Sequence, residues 1–386
     1  MKAGTSMMAL CLGLAALAAH AGDATGALVY FGTRGTPQTS TGPQGIYAAR
    51  LDIRTGKLVS LGLQIELSRI SWLLPHASLP VMFMVANPGG STTVESQLYS
   101  YSVDKVTGQL HQISQIGTGG KDTTHLAFEP KSNTLFGASF VSGEVMAFPV
   151  LPNGSLGKVA SSQRHYGKGP LPEQSMPHPH AVAVDATRHY VVSADLGADR
   201  IFVHRFYEET RALTEGDPPV EATPPGSGPR HLAFHPNGRF LYLVTEMTAE
   251  VRAYQWDAKL GRLHLLEARP AYPAGYAGEG EKSSAEIGLA RDGRHLYVTL
   301  RGDQNSIVVY DVNGKTGNLT EIQRIASQGK SPRTFGIDPS GRWLLVTNDV
   351  SSMVNVFGID RATGKLSATS ESLAIPNPAT LAFYTP

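Results

Sequence analysis

Several residues able to do chemistry recur at one repeating position, directly after an apolar strand. Glu246, Arg301 and Asp349 each lie eight residues after the glycine of a Gly-Arg turn, at Gly238, Gly293 and Gly341. Equivalent positions elsewhere give Asn87, Phe140 and Asp195, and an N-terminal half-repeat supplies Arg34. Five of these seven are ionisable, of both signs. A packing position would repeat an apolar type, as the residues just before it do. A second set opens the strand before the turn: His125, His180, His231, Glu286 and Thr334, with Arg230 and Arg333 preceding two of them. The two strands are expected to run antiparallel, which places the start of one beside the end of the other. Both sets should then meet at one opening. Ionised groups in a narrow channel are costly unless paired or used.

Carboxylate, imidazole and guanidinium groups together suit proton transfer and oxyanion stabilisation. Each also has a plainer reading. Asp195 and Asp199 can hold a turn through Asx hydrogen bonds, and Arg333 with Asp349 can form a structural ion pair. His125 can be an ordinary strand residue. His178 and His180, in Pro-His-Pro-His, look like an imidazole pair for a metal, but no third ligand of supporting spacing accompanies them. The chain has no Gly-x-Ser-x-Gly, no P-loop and no dinucleotide fingerprint in a βαβ context. The residue set calls for no cofactor and no metal.

The elements that must position these residues announce themselves by repetition. A turn ending in Gly-x-Leu, or a relaxed version of it, closes on Leu58, Leu110, Leu156, Leu213, Leu263, Leu319 and Leu366, at spacings of 52, 46, 57, 50, 56 and 47. A period near 50 means a propeller or a solenoid. Between the turns lies a strand, a Pro/Asp-Gly turn and a second strand, as in His231-Leu-Ala-Phe-His-Pro-Asn-Gly-Arg-Phe-Leu-Tyr-Leu-Val-Thr245. Asn-Gly and Asp-Gly between apolar runs are hairpin signals. A third strand follows, such as Ser306-Ile-Val-Val-Tyr310, and the Gly-x-Leu turn leads into a fourth. Four antiparallel strands per period describe a propeller blade. Ala27–Thr33 reads as a second strand and Ala379–Phe383 as a first strand. Paired, they complete a seventh blade and remove the exposed edge. The expected fold is all-β, a seven-bladed propeller closed by its two ends.

Composition narrows the function classes. Net charge is +1 with 17% charged residues in mixed order, so nothing suggests a nucleic-acid surface. Residues 1–21 carry Lys2, an apolar core from Met7 to Ala18 and small residues at Ala19-His-Ala21, the pattern of a cleavable secretory signal peptide rather than a membrane span. Residues 22–386 then form one propeller domain. The single cysteine, Cys11, lies in the leader, so the mature chain has no disulfide and no thiol nucleophile. Export to a bacterial periplasm or exterior is expected. A closed ring needs no partner, and the sequence is silent on oligomeric state.

In order along the chain, Pro-His-Pro-His-Ala-Val (177–182), Ala-Asp-Leu-Gly-Ala-Asp-Arg (194–200), Gly-Pro-Arg-His-Leu-Ala-Phe-His-Pro-Asn-Gly (228–238), the Thr-Glu ending at Glu246, the Leu-Arg-Gly at Arg301 and Ser-Pro-Arg-Thr-Phe-Gly-Ile-Asp (331–338) resemble the lactonase family of seven-bladed propellers. That family includes propeller-type 6-phosphogluconolactonases and fungal carboxy-cis,cis-muconate cyclases. The resemblance implies a site of one His, two Arg and one Glu, falling on His180, Arg230, Glu246 and Arg301. Of the residues singled out above from the repeats and from Pro-His-Pro-His, Arg34, Asn87, His125, His178, Asp195, His231, Glu286, Arg333 and Asp349 are expected to line the substrate around them. The chain departs from the family at Ser139-Phe140, where Asn-Tyr is more usual.

The expectation is an exported lactonase, a carboxylic-ester hydrolase acting on a sugar-acid lactone of aldono or 6-phosphoglucono type. Glu246 or His180 would activate water, with a desolvated carboxylate raised toward neutrality, while Arg230 and Arg301 stabilise the oxyanion. The same residues would also serve a cycloisomerase or lyase on a muconate-type acid. A non-catalytic propeller that binds a ligand is the third reading.

Overall fold

The computed structural model describes residues 26–35, 40–276 and 282–384. The leader expected over residues 1–21 lies outside the described residues, as does part of the segment between Tyr272 and Ser284. Seven antiparallel sheets of four strands form the ring. Six sheets are built from consecutive strands. In the seventh, Pro378–Tyr384 pairs with Gly26–Thr33, so one C-terminal strand joins three N-terminal ones. The first strand of every sheet touches the first strand of the next, and the strands Ile70–Pro75 and Pro378–Tyr384 complete the circle.

The second strand of each blade reads as an unbroken apolar run because it is covered on both faces. Val81–Ala86, Phe240–Thr245 and His295–Leu300 are buried at every residue. Outer strands such as Leu366–Ala374 instead alternate between partly buried and exposed residues beyond the buried Leu366. Apolar side chains gather between neighbouring blades rather than at the ring's centre. One such cluster joins Tyr242 and Val244 to Leu296 and Val298, and another joins Val29 and Phe31 to Leu345 and Val356. The central channel is thereby left to polar groups.

The Gly-x-Leu turns sit at one end of the ring. Gly56, Gly108, Gly317 and Gly364 have φ between +71° and +81°, a region open to glycine at no steric cost. The relaxed copy places Arg211 there instead, at φ +57°. Aspartate oxygens tie the turns, with Asp52 accepting from Arg54 N at 2.8 Å and Asp104 from Val106 N at 2.8 Å. Each turn packs on the second strand of an adjacent blade. Tyr30, Tyr242 and Tyr297 donate their hydroxyls to the carbonyls of Gly108, Gly317 and Gly364 at 2.9–3.0 Å.

Candidate active site

At the other end of the ring the first strands share an irregularity that builds the channel mouth. Each contains a bulge near its start. The extra residues are Ser71, Thr124, His180, Arg230, Arg333 and Ala379, with Ala285 inside the corresponding irregularity of the remaining blade. A bulge leaves its residue unpaired and re-aims the side chain. His180, Arg230 and Arg333 thus form an upper layer facing a cavity of about 520 Å³. The residues that follow, Trp72, His125, His231, Glu286 and Thr334, lie a step deeper along the strands.

This arrangement corrects the alignment of His180. It does not share the phase of His125, His231, Glu286 and Thr334. Ala181, opposite Ala194, holds that phase, and His180 lies with Arg230 and Arg333. Asp195 is displaced likewise. It pairs across from Pro179, as Thr245 does from Pro229, so Leu196 is the true counterpart of Glu246. Leu196 lines the cavity. Asp195 is fully buried behind it, accepting from His178 N at 2.7 Å and Ala198 N at 2.8 Å and pairing with His165 Nδ1 at 2.7 Å.

Glu246 is the hub of the mouth. Its Oε2 accepts from Arg230 Nε at 2.7 Å, and its Oε1 lies 3.0 Å from Arg301 Nη2. Arg230 is 2% exposed and also donates to the carbonyl of Ala285. Arg301 is anchored by Ser283 Oγ and the carbonyl of Ser284. Burial pushes the Glu246 carboxyl up, but the guanidiniums of Arg301 and Arg230 outweigh it and hold it at about 2. The expectation of a carboxyl raised toward neutrality is therefore overturned. Its charge is neutralised by two arginines rather than by a proton. Burial, with help from Arg301 and Arg333, lowers Arg230 to about 10, still charged at neutral pH.

His180 presents the opposite case. It is 7% exposed, lines the cavity and makes no side-chain hydrogen bond through Nδ1. Burial first, then Arg230, holds its pKa well below the usual imidazole range. It is a neutral imidazole at pH 7.

The other candidates divide. Arg34 lines the cavity and shares Asp122 with Arg69, at 3.3 and 3.4 Å. Burial and Arg333 lower Arg34 to about 9. Arg333 stands 3.9 Å from Asp349, and both line an adjoining cavity of about 350 Å³ with Arg34 and Arg69. Asn87 is fully buried and donates to Asp122 at 2.7 Å, behind the wall. His178 stacks on Phe140 at 4.3 Å and bonds its carbonyl. His125 packs on Trp72 and His231 below the mouth. His231 Nδ1 pairs with Glu286 at 2.8 Å, and Thr334 donates to the same carboxylate at 2.7 Å. Arg69, Asp122, Thr124 and Trp72 escaped the sequence reading. The bulge position would have found Thr124, and Arg69 directly precedes the first strand of its blade. Among the described residues no group of three or more His, Cys, Asp or Glu is arranged to hold a metal, and no helix is long and apolar enough to cross a membrane.

Residues 29–383 match the family described as a seven-bladed β-propeller lactonase. A 6-phosphogluconolactonase of Bacillus subtilis is 30% identical over 92% of this chain and 98% of its own length. One from Formosa agariphila is 29% identical over 78% of this chain and 88% of its own. The solved periplasmic gluconolactonase of Pseudomonas aeruginosa is 32% identical with a TM-score of 0.86, covering 93% of this chain and 99% of that one.

Proposed function

The chain belongs to the seven-bladed β-propeller lactonases, and on that footing we propose that it opens a sugar-acid lactone by adding water across the ring ester. The observation that carries the mechanism is the unequal fate of two candidate bases. Both Glu246 oxygens are committed to arginines, whereas His180 is neutral and unpaired at the cavity wall. His180 is the general base. It takes a proton from water as the oxygen bonds to the lactone carbonyl carbon. Arg230 and Arg301, aimed by Glu246, receive the oxyanion. When the ring C–O bond breaks, the departing oxygen takes the proton back from His180, leaving a hydroxy acid.

Five guanidiniums, of Arg34, Arg69, Arg230, Arg301 and Arg333, line the two cavities against the four carboxylates of Asp122, Glu173, Glu246 and Asp349, an excess of one that favours an anionic substrate. The adjoining cavity of Arg34, Arg69 and Arg333 is a seat for its distal acid group. A 6-phosphorylated aldonolactone satisfies this better than a neutral one. The leader pattern of residues 1–21 and the likeness to the periplasmic gluconolactonase of P. aeruginosa support export. N-terminal sequencing of secreted protein should then begin at Gly22.

The purified protein is expected to accelerate opening of glucono-1,5-lactone and its 6-phosphate at mildly acid pH, where spontaneous opening is slow, and His180→Ala should abolish that acceleration. A wild-type rate equal to the spontaneous one across such lactones would dismiss the proposal. Turnover of muconates in the same panel would redirect it to cycloisomerisation.

A further inference from the structure

Beneath the mouth, four buried polar atoms without a protein hydrogen-bond partner belong to residues around one point. They are Ser71 Oγ, Trp72 Nε1, His180 Nδ1 and His231 Nε2. Their residues, with Glu286 and Thr334, line a small void that has room for the centre of one water molecule, about 10 Å³. The rings of His180 and His231 lie 5.0 Å apart, edge to face. Four stranded polar atoms in one place are unusual in a folded protein, where buried donors and acceptors nearly always find partners.

Their chemistry is complementary. Glu286 is ionised: although burial pushes its carboxyl up, His231 and Thr334 hold it down. An ionised carboxylate only accepts, so His231 carries its proton on Nδ1 and offers a lone pair at Nε2. The indole of Trp72 can only donate, and Ser71 can do either. A water accepts two hydrogen bonds and donates two. Accepting from Trp72 Nε1 and His180 Nδ1, and donating to His231 Nε2 and Ser71 Oγ, satisfies all four atoms. That pattern places the proton of neutral His180 on Nδ1 and leaves Nε2 as the basic nitrogen for the cavity.

We propose that this void holds a structural water completing a proton relay from His180 to His231, whose imidazolium Glu286 stabilises. The inference rests on the reading of His180 as the base. When Nε2 takes a proton from the attacking water, the Nδ1 proton passes to the bridging water, which gives one of its own to His231 Nε2. The positive charge comes to rest on an imidazolium bonded to the Glu286 carboxylate. Without the relay it would remain on His180, which faces Arg34, Arg230 and Arg333. His231 faces Arg230, Arg333 and His125 as well, but it alone has a carboxylate in contact. Collapse of the intermediate returns the proton by the same route, so nothing is consumed.

Glu286→Gln removes the charge while preserving shape. It should lower kcat by about 10- to 100-fold, less than the ~10²–10⁴ of a general base itself because Glu286 acts through His231, leave KM within about twofold, and move the acid limb of the pH profile to lower pH. Glu286→Asp should recover part of the kcat. In the wild type, ¹⁵N NMR should show both His180 and His231 as Nδ1–H tautomers. A Nε2–H tautomer at His180 overturns the relay, and this reading needs no variant to fold. If His180→Ala is inactive while folded Glu286→Gln keeps wild-type kcat and acid limb, the relay alone falls. If His180→Ala retains activity, the base assignment falls and takes the relay with it.

Discussion

The two ends of the ring use repetition in opposite ways. At the Gly-x-Leu end, six of the seven equivalent positions carry a positive-φ glycine, with Arg211 in the seventh, and Gly56, Gly261, Gly317 and Gly364 each lie against an aromatic ring of a neighbouring blade. At the bulge end, equivalent positions carry Ser71, Thr124, His180, Arg230, Ala285, Arg333 and Ala379, no two blades alike save for the arginines and the alanines. Sameness at a repeated position follows from a steric demand that every blade shares. Difference at a repeated position, where the backbone is also distorted, marks side chains chosen for what they do together. The fold supplies seven inward-facing positions and constrains the backbone at each, leaving the side chain open.

The largest effect expected from this contrast is at the mouth. Arg301→Met removes one oxyanion donor and one clamp on Glu246. It should lower kcat/KM by about 10²–10³, the usual loss for one such donor, with little change in melting temperature. At the far end the reverse should hold. A Cβ on Gly364 would stand 2.3 Å from the His295 ring at φ +71°, so Gly364→Ala should cost about 1–3 kcal/mol of stability with kcat/KM per folded molecule unchanged. Denaturant titration and lactone kinetics on both variants test the pair. A glycine variant that loses activity without losing stability would break the division of labour.

The pH profile sharpens the mouth itself. The base must be neutral to act, so kcat/KM should hold at neutral pH and fall on acidification through the pKa of His180. Burial and Arg230 set that value below the usual 6.5. Glu246, held at about 2, stays ionised throughout. Glu246→Gln should therefore raise KM and loosen the arginines, yet leave an acid limb in place. Disappearance of the limb in that variant would transfer the base to Glu246.

How much of this was legible beforehand follows the same division. The blades and their closure could be read because glycine turns and apolar second strands are dictated residue by residue. The mouth was legible as a set of residues but not in its register. Asp185-Ala-Thr-Arg-His189 lacks the glycine of its sister turns, and Arg188 takes the positive φ, at +64°. Counting without that glycine slides the frame by one, which is how Asp195 displaced Leu196. A proline before the bulge residue, as in Pro179-His180, Pro229-Arg230 and Pro332-Arg333, was the signal that would have restored the register. The charge state of Glu246 lay out of reach, because it depends on guanidiniums from two different blades. Convergence of Ser71, Trp72, His180 and His231 on one void likewise exists only once the ring is closed.

The smallest effect separates the two ends by arithmetic rather than by size. Tyr30, Tyr242 and Tyr297 each donate one buried hydroxyl to a glycine carbonyl across a blade interface. Replacing any one by Phe should cost about 1–3 kcal/mol, the penalty of leaving a buried carbonyl without its partner. The three sites occupy separate blades and share no partner. Their costs should therefore add to within about 0.5 kcal/mol in the triple variant. His180 and Glu286 act on one proton, so their kinetic losses should not add: once His180 is gone, Glu286→Gln has little left to remove. Additive tyrosines alongside non-additive mouth residues would establish that one end of the ring is a sum of local contacts and the other a single coupled unit. Strong coupling among the tyrosines would instead mean that strain travels from blade to blade around the whole circle.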